Sequence, residues 1–377
     1  MRVHLPTPLL GGVSPREFMQ RHWQKRPLLI RQAVPGIQAP LGRAELFALA
    51  GQEGVESRLV VHEEQGWTLR HGPLRRRAIP SVSKPAWTLL VQGLNLHLAA
   101  AHRLLEHFRF VPDARLDDLM LSYATDGGGV GPHLDSYDVF LLQVMGAREW
   151  RIGRQAEPKF APQAPLKILT NFVAQECWTL EPGDMLYLPP LWAHEGVARG
   201  ECMTASIGFR APSGHGIAQQ ILQLWLDREP DDAARGGNAP YRDRRQGATR
   251  SPGRIPPQLR KFAADALKRE LSDPRRLACV LGELLSEPKA NVVFEGGSHL
   301  KGRRALRLDR RSRMLYDEYH VFINGESYRA GGADAALLRR LADSHELAPR
   351  ELDKLSAPAR KWVDQWARSG WLQVKGS

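Results

Sequence analysis

The chain has 377 residues, a formal net charge of +12, 42% hydrophobic and 25% charged residues. That length carries two or three domains with a real core, and the composition excludes a disordered or fibrous chain. No apolar run reaches signal-peptide or membrane-span length, and the three cysteines Cys177, Cys202 and Cys279 lack zinc-site spacing. The expectation is therefore a cytoplasmic protein with free thiols and no membrane contact.

Ser14-Pro15-Arg16-Glu17 reads as a helix start, with serine as cap, proline in the first turn and glutamate closing a capping box. The helix should run to about Trp23, and Leu28-Leu29-Ile30 beyond Lys25-Arg26-Pro27 reads as a buried strand. A second helix is expected over Arg43 to Ala50 and short strands over residues 57–72, with Arg70, Arg75, Arg76 and Arg77 as a solvated basic cluster. Thr88 to Phe108 is helical in period, and Asp118 to Tyr123 reads as a strand.

Four glycines then fall within residues 127–131. No Gly-Lys-Ser/Thr follows, the G-x-G-x-x-G spacing is absent and no helix is expected next, so this is not a phosphate loop. The glycines instead let backbone pass close to another group. Tyr137 to Gln143 and Arg148 to Ile152 read as the two arms of a hairpin turned at Met145-Gly146-Ala147. Trp178 to Leu188 is strand broken by a turn at Pro182-Gly183-Asp184, and Thr204 to Phe209 closes the set. Many short strands with turn punctuation predict a β-barrel or jelly roll over residues 1–211.

Residues 212–287 read as a helical module: an amphipathic helix from Gly216 to Asp227, a polar loop from Glu229 to Pro257, and helices over Leu259 to Leu271 and Arg275 to Leu285. Its role is dimerisation or a plain linker. Residues 288–377 combine a hairpin at Asn324-Gly325, helices over Ala333 to Asp343 and Ala357 to Ser369, and a short strand Trp371 to Val374, the pattern of a winged helix. Lys301, Arg303, Arg304, Arg307, Arg310, Arg311 and Arg313 precede the hairpin. With the net charge they suit nucleic acid or a ribonucleoprotein, and equally a solvated surface or a protein contact.

Three residues carry the chemistry. His133 and Asp135 are two apart and share a face if extended. His194, from a distant strand, would add a second imidazole. Two imidazoles and one carboxylate leave coordination positions open and suit non-haem Fe(II) that activates oxygen. Among thirteen histidines, an H-x-D pair also arises by chance. Arg148 shares a strand face with Trp150 and Ile152. An arginine facing a barrel interior needs an anion, either a cosubstrate carboxylate or an Asp or Glu brought in by folding.

The stretches Gly127 to Asp135, Tyr137 to Gln143, Gly146 to Gly153, Lys25 to Arg31 and Gly183 to His194 together resemble the bacterial JmjC-type ribosomal oxygenases. The resemblance runs the length of the chain. It implies an α+β protein: a double-stranded β-helix (jelly-roll, cupin) catalytic domain, a helical dimerisation module and a C-terminal winged helix. It implies an Fe(II)- and 2-oxoglutarate-dependent dioxygenase that uses O2, releases succinate and hydroxylates the β-carbon of an arginine in large-subunit ribosomal protein L-sixteen. His133, Asp135 and His194 would ligate iron, Arg148 would hold the distal carboxylate of 2-oxoglutarate, Ser206 would be a further contact to it, and Asp126 would orient the substrate guanidinium. Homodimerisation and contact with ribosomal RNA follow as expectations. Two other readings stay open: a JmjC-type demethylase or other protein oxygenase, and a winged-helix nucleic-acid-binding regulator with a cupin sensor domain.

Overall fold

The computed structural model describes residues 2–227, 240–300 and 304–374. The chain divides into two compact units, Met1–Ala211 with Lys289–Val293, and Pro212–Pro288 with Phe294–Ser377.

The first unit opens with α1 (Pro15–Arg21), whose cap Ser14 Oγ accepts from the Glu17 N–H at 3.2 Å as the sequence predicts. Then come β1 (Leu28–Ile30), α2 (Arg43–Ala50), β2 (Ser57–Glu63), β3 (Gly66–His71), β4 (Trp87–Val91), α3 (Leu94–His97) and α4 (Ala99–Glu106). The strands β5 (Leu116–Ala124), β6 (His133–Leu134), β7 (Val139–Arg154), β8 (Glu176–Leu180), β9 (Met185–Leu188) and β10 (Trp192–Phe209) complete it. All ten strands join one sheet, ordered β1-β9-β7-β10-β5-β4-β2-β3, with β6 on β10 and β8 on β7. The main core cluster gathers α1, α2 and the helices after β4 with the sheet, around Phe18, Trp87, Phe108, Tyr123, Phe140 and Phe209. This is the barrel with helices outside that the strand pattern predicts, of the cupin type that the resemblance implies.

Two element expectations are corrected. Thr88 to Phe108 is not one helix: Trp87–Val91 is a strand, and two short helices follow it. All five residues of β4 are buried between β2 and β5, so they form a continuous apolar run with no alternation to reveal the strand. The hairpin at Met145-Gly146-Ala147 is also absent. β7 runs unbroken for 16 residues against β10. Gly146, at φ +61°, lies at a register shift, where a Cβ would come 2.1 Å from the Glu201 carbonyl. The glycine makes a bulge that bends the ribbon instead of reversing it.

The second unit holds α5 (Gly214–Asp227), α6 (Pro257–Glu270) and α7 (Pro274–Ser286), then β11 (Leu306–Leu308), β12 (Met314–Tyr316), β13 (His320–Ile323) and β14 (Glu326–Arg329). α8 (Gly332–Ser344), β15 (Glu346–Leu347), α9 (Pro349–Leu352), α10 (Ala357–Arg368) and β16 (Leu372–Val374) follow. The Asn324-Gly325 turn joins β13 to β14 as expected, with both residues at positive φ. α7 lies so close to β13 that a Cβ on Gly282 would meet the Phe322 ring at 2.3 Å. The helices and the winged helix, expected as separate modules, thus share one unit. Residues 289–293, assigned to the winged helix by the sequence, pack with the barrel. Lys301 and Arg303 lie outside the described residues.

Candidate metal centre and cosubstrate cavity

A cavity of about 360 Å³ opens into the barrel and is lined by His133, Asp135, His194, Arg148 and Ser206 among others. His133 and His194 are direct cross-strand partners between β6 and β10. Their ring centres lie 4.2 Å apart. Asp135 Oδ2 is 3.6 Å from His194 Nε2 and 4.0 Å from His133 Nε2. One donor atom from each residue falls within 4.8 Å of the others. The glycine run makes this possible. A Cβ on Gly128 would meet the Trp87 carbonyl at 2.4 Å, and one on Gly129 the Gly196 carbonyl at 2.6 Å. Only glycines let the chain pass between β4 and β10 and deliver His133 to its partner.

The ring orientations are set in the same way on both histidines. His133 Nδ1 bonds the Gly131 carbonyl and His194 Nδ1 the Trp192 carbonyl, each at 2.9 Å. A carbonyl only accepts, so Nδ1 carries the proton and the Nε2 lone pair turns toward Asp135. This is the arrangement that holds a metal-ligating imidazole in one tautomer. Burial, reinforced by the neighbouring His133, pushes the His194 pKa down to about 4, so the ring stays neutral at physiological pH. A neutral imidazole is the metal-binding form.

Arg148 is buried, and its Nη1 donates to Ser122 Oγ at 3.2 Å. Its Nε and Nη2 have no partner, and no carboxylate pairs with it among the described residues. The guanidinium lies 5.9 Å from the centre of the Trp150 ring, which in turn sits 5.9 Å from the His194 ring. Of the two readings of Arg148, an internal Asp or Glu partner is excluded among the described residues. What is left is a fixed cation with two free donors facing a cavity, fitted to a carboxylate. The residues present therefore fit both a divalent metal and an anionic cosubstrate.

Ser206 faces the cavity from β10, opposite Met120 of β5. Asp126 does not line it. The Asp126 carboxylate accepts from the Gly200 N–H at 2.7 Å, and its carbonyl accepts from the Ala86 N–H at 2.8 Å, so it ties turns together on the surface. Asp126, expected to orient the substrate guanidinium, therefore lies outside the cavity lining, with its carboxylate engaged by the Gly200 N–H.

Several residues that local sequence patterns did not single out complete the cavity. Tyr137 follows Asp135 by two residues, and burial of its hydroxyl, with the Asp135 charge beside it, holds its pKa far above the ordinary phenol value. That i, i+2 spacing was a readable signal. Arg58, Gln92 and Asp118 form a polar wall: Arg58 Nη2 donates to Gln92 Oε1 at 3.0 Å, and Gln92 bonds Asp118. These come from β2, the end of β4 and β5, and only the sheet order brings them together.

Comparison with known proteins agrees with this architecture. The JmjC domain family matches residues 103–217, and the ROXA-like winged helix matches residues 269–373. The chain is 38% identical over 274 residues to the ribosomal protein uL16 3-hydroxylase of Escherichia coli, covering 72% of this chain and 68% of that one. A probable ribosomal oxygenase of Haemophilus influenzae is 35% identical over 58% of this chain and 55% of its own. The crystal structure of Escherichia coli YcfD superposes with a TM-score of 0.84 at 30% identity, over 96% of this chain and 98% of that one. The same ribosomal oxygenase in complex with cobalt and 2-oxoglutarate gives 0.81 at 29% identity, over the same shares. The chain belongs to the JmjC-type ribosomal oxygenases.

Proposed function

We propose that this protein is an Fe(II)- and 2-oxoglutarate-dependent dioxygenase that hydroxylates the β-carbon of an arginine in large-subunit ribosomal protein uL16. The observation that carries the reading is the unpartnered Arg148 guanidinium in the cavity that also holds the His133–Asp135–His194 triangle. A regulator with a sensor barrel needs neither feature in that combination. The family relatives supply the substrate class: one is named for hydroxylating uL16, and a solved relative carries cobalt and 2-oxoglutarate.

His133, Asp135 and His194 would hold the metal, with Nε2, carboxylate and Nε2 as donors. When bound, Fe(II) and 2-oxoglutarate supply the oxygen-activating, decarboxylating chemistry that no side chain can perform. Arg148 would grip the distal carboxylate through its two open donors, steadied by Ser122 and by the face of Trp150. Ser206 is a candidate second contact on the same wall. Asp118, a buried carboxylate in the cavity lining, is the group best placed to meet a substrate guanidinium. Tyr137, held as a neutral phenol, donates rather than carries charge.

The working organisation follows the expected parts: residues 1–211 as catalytic domain, 212–287 for dimerisation and 288–377 as winged helix. Leu222, Leu226, Leu259, Leu267 and Leu277 of α5 to α7 are exposed, and a second copy of the chain would cover them. The net charge of +12 suits contact with ribosomal RNA beside the protein substrate. No helix among the described residues is long and apolar enough to cross a membrane. A cytoplasmic location follows from the ribosomal substrate.

The deciding experiment is mass spectrometry of uL16 and of its arginine peptides after incubation with the purified protein, Fe(II) and 2-oxoglutarate. One added oxygen on an arginine, coupled to succinate release, is expected. Loss of a methyl carbon from a methylated substrate would establish the demethylase instead.

A further inference from the structure

After α7 the chain returns to the barrel for five residues, Lys289–Val293, before continuing at Phe294. Two side chains fix the return. Asn291 Nδ2 donates to the Gly54 carbonyl at 2.7 Å. Lys289 Nζ lies 2.6 Å from Asp118 Oδ2 and 3.4 Å from Asp117 Oδ1. Asp118 is 2% exposed, yet it lines the cavity, whereas Lys289 does not line it. The ammonium therefore backs the carboxylate from behind and leaves its cavity side open.

A carboxylate in that position has a problem of its own. Burial pushes the Asp118 pKa up, and the neighbouring Asp117 charge pushes the same way. Lys289 and the Gln92 amide oppose them without cancelling them, so the Asp118 pKa stays above the usual carboxylate value. Burial would discharge the Lys289 ammonium too, but the two aspartates hold its pKa above the ordinary lysine value. The remaining charged neighbours are Arg58, which reaches Asp118 through Gln92, and Arg210, whose Nε is 3.5 Å from Asp117 Oδ1. Tyr137 faces the same space and feels the Asp118 charge. Lys289 is the single cation in hydrogen-bond contact with Asp118 among the described residues.

We infer that Lys289 is a positioning residue of the substrate subsite: from outside the cavity it favours the ionised form of Asp118 and aims it at the incoming guanidinium. This rests on the arginine-hydroxylase reading, which supplies the guanidinium. The function of the return segment is then to bring a cation from beyond α7 into direct contact with a carboxylate that no barrel cation touches among the described residues. Without Lys289 the balance at Asp118 shifts further toward the protonated form, and a neutral acid offers a guanidinium no ion pair.

The test uses the full-length chain and three variants. Lys289→Gln keeps a hydrogen-bond donor without the charge, Lys289→Arg restores the charge, and Asn291→Ala loosens the segment without touching Asp118. In the first measurement, carboxyl 13C NMR of aspartate-labelled protein, assigned with Asp118→Asn, follows Asp118 against pH. Lys289→Gln should move its titration upward by about one unit or more, while Lys289→Arg and Asn291→Ala stay near the wild type. In the second, KM for a uL16 arginine peptide should rise about tenfold or more in Lys289→Gln at pH values between the two Asp118 midpoints, with KM for 2-oxoglutarate unchanged and Lys289→Arg restoring it. An unmoved Asp118 titration in Lys289→Gln overturns the inference, whatever the substrate. So does an equal shift in Asn291→Ala, which would assign the effect to segment docking. A normal peptide KM in Lys289→Gln overturns it while leaving the enzyme reading intact. If the wild type turns over no arginine peptide, the arginine reading fails, and the NMR titration still decides whether Lys289 sets the charge of Asp118.

Discussion

Arg148 illustrates how one residue's surroundings define its task. A single hydrogen bond to Ser122 leaves two buried donors open, which is costly unless an anion arrives. Arg148→Ala should raise the KM for 2-oxoglutarate on the order of a hundredfold or more. That figure follows because breaking a buried ion pair costs about 3–5 kcal/mol and each ~1.4 kcal/mol is tenfold. Arg148→Lys should keep part of the activity, since the charge stays and the fork is lost. Titration of 2-oxoglutarate beside melting temperatures checks this, and an unchanged KM would end the cosubstrate role. His133→Ala should lose iron by elemental analysis while far-ultraviolet circular dichroism stays native, because the barrel does not depend on that ring for its core. Asp126→Ala should leave the peptide KM near the wild-type value and lower stability by roughly 1 kcal/mol, the value of one surface hydrogen bond.

The β7–β10 ribbon is the element on which the site depends. It carries Arg148 and Trp150 on one strand and His194 on the other, with Gly196 paired to Trp150. A Cβ on Gly196 would come 2.7 Å from the Trp150 ring. Gly196→Ala should therefore push that ring toward His194 and Arg148 and cost about 1–3 kcal/mol, the range for overpacking. Urea melts would measure the loss, and iron titration should show weakened binding. The turn before β9 has its own lock. Burial would raise the Asp184 pKa, but the Gln32 N–H, the Arg31 guanidinium and the Glu181 N–H together hold it below the usual carboxylate range. The sign is that of a depressed acid: its contribution is present above the unfolded pKa near 4 and is lost as pH falls through the lower folded value. Melting temperature should drop with acid less steeply in Asp184→Asn than in the wild type, and parallel curves would refute the lock.

At the scale of the molecule, the exposed leucines of α5 to α7 predict a dimer, which light scattering at micromolar concentration should report. Leu226→Glu, at the most exposed of them, should give the monomer mass with the barrel intact. The local features of this protein were legible in its sequence. The Ser14 cap, the Asn324-Gly325 hairpin and the glycine passage are dictated by backbone preferences that act over a few residues. The triad residues were legible too, because their types and the H-x-D spacing are themselves the chemistry. Other features required the folded chain. β4 hides its period because both faces are buried, and β7 continues through the bulge at Gly146 because β10 pairs with it on both sides. The His133–His194 pairing, the Arg148–Ser122 hydrogen bond and the meeting of Lys289 with Asp118 join residues 61, 26 and 171 positions from their partners. Contacts across such separations depend on sheet order and burial, which no local window of sequence contains, so the residues named the chemistry and only the tertiary structure decided which of them act together.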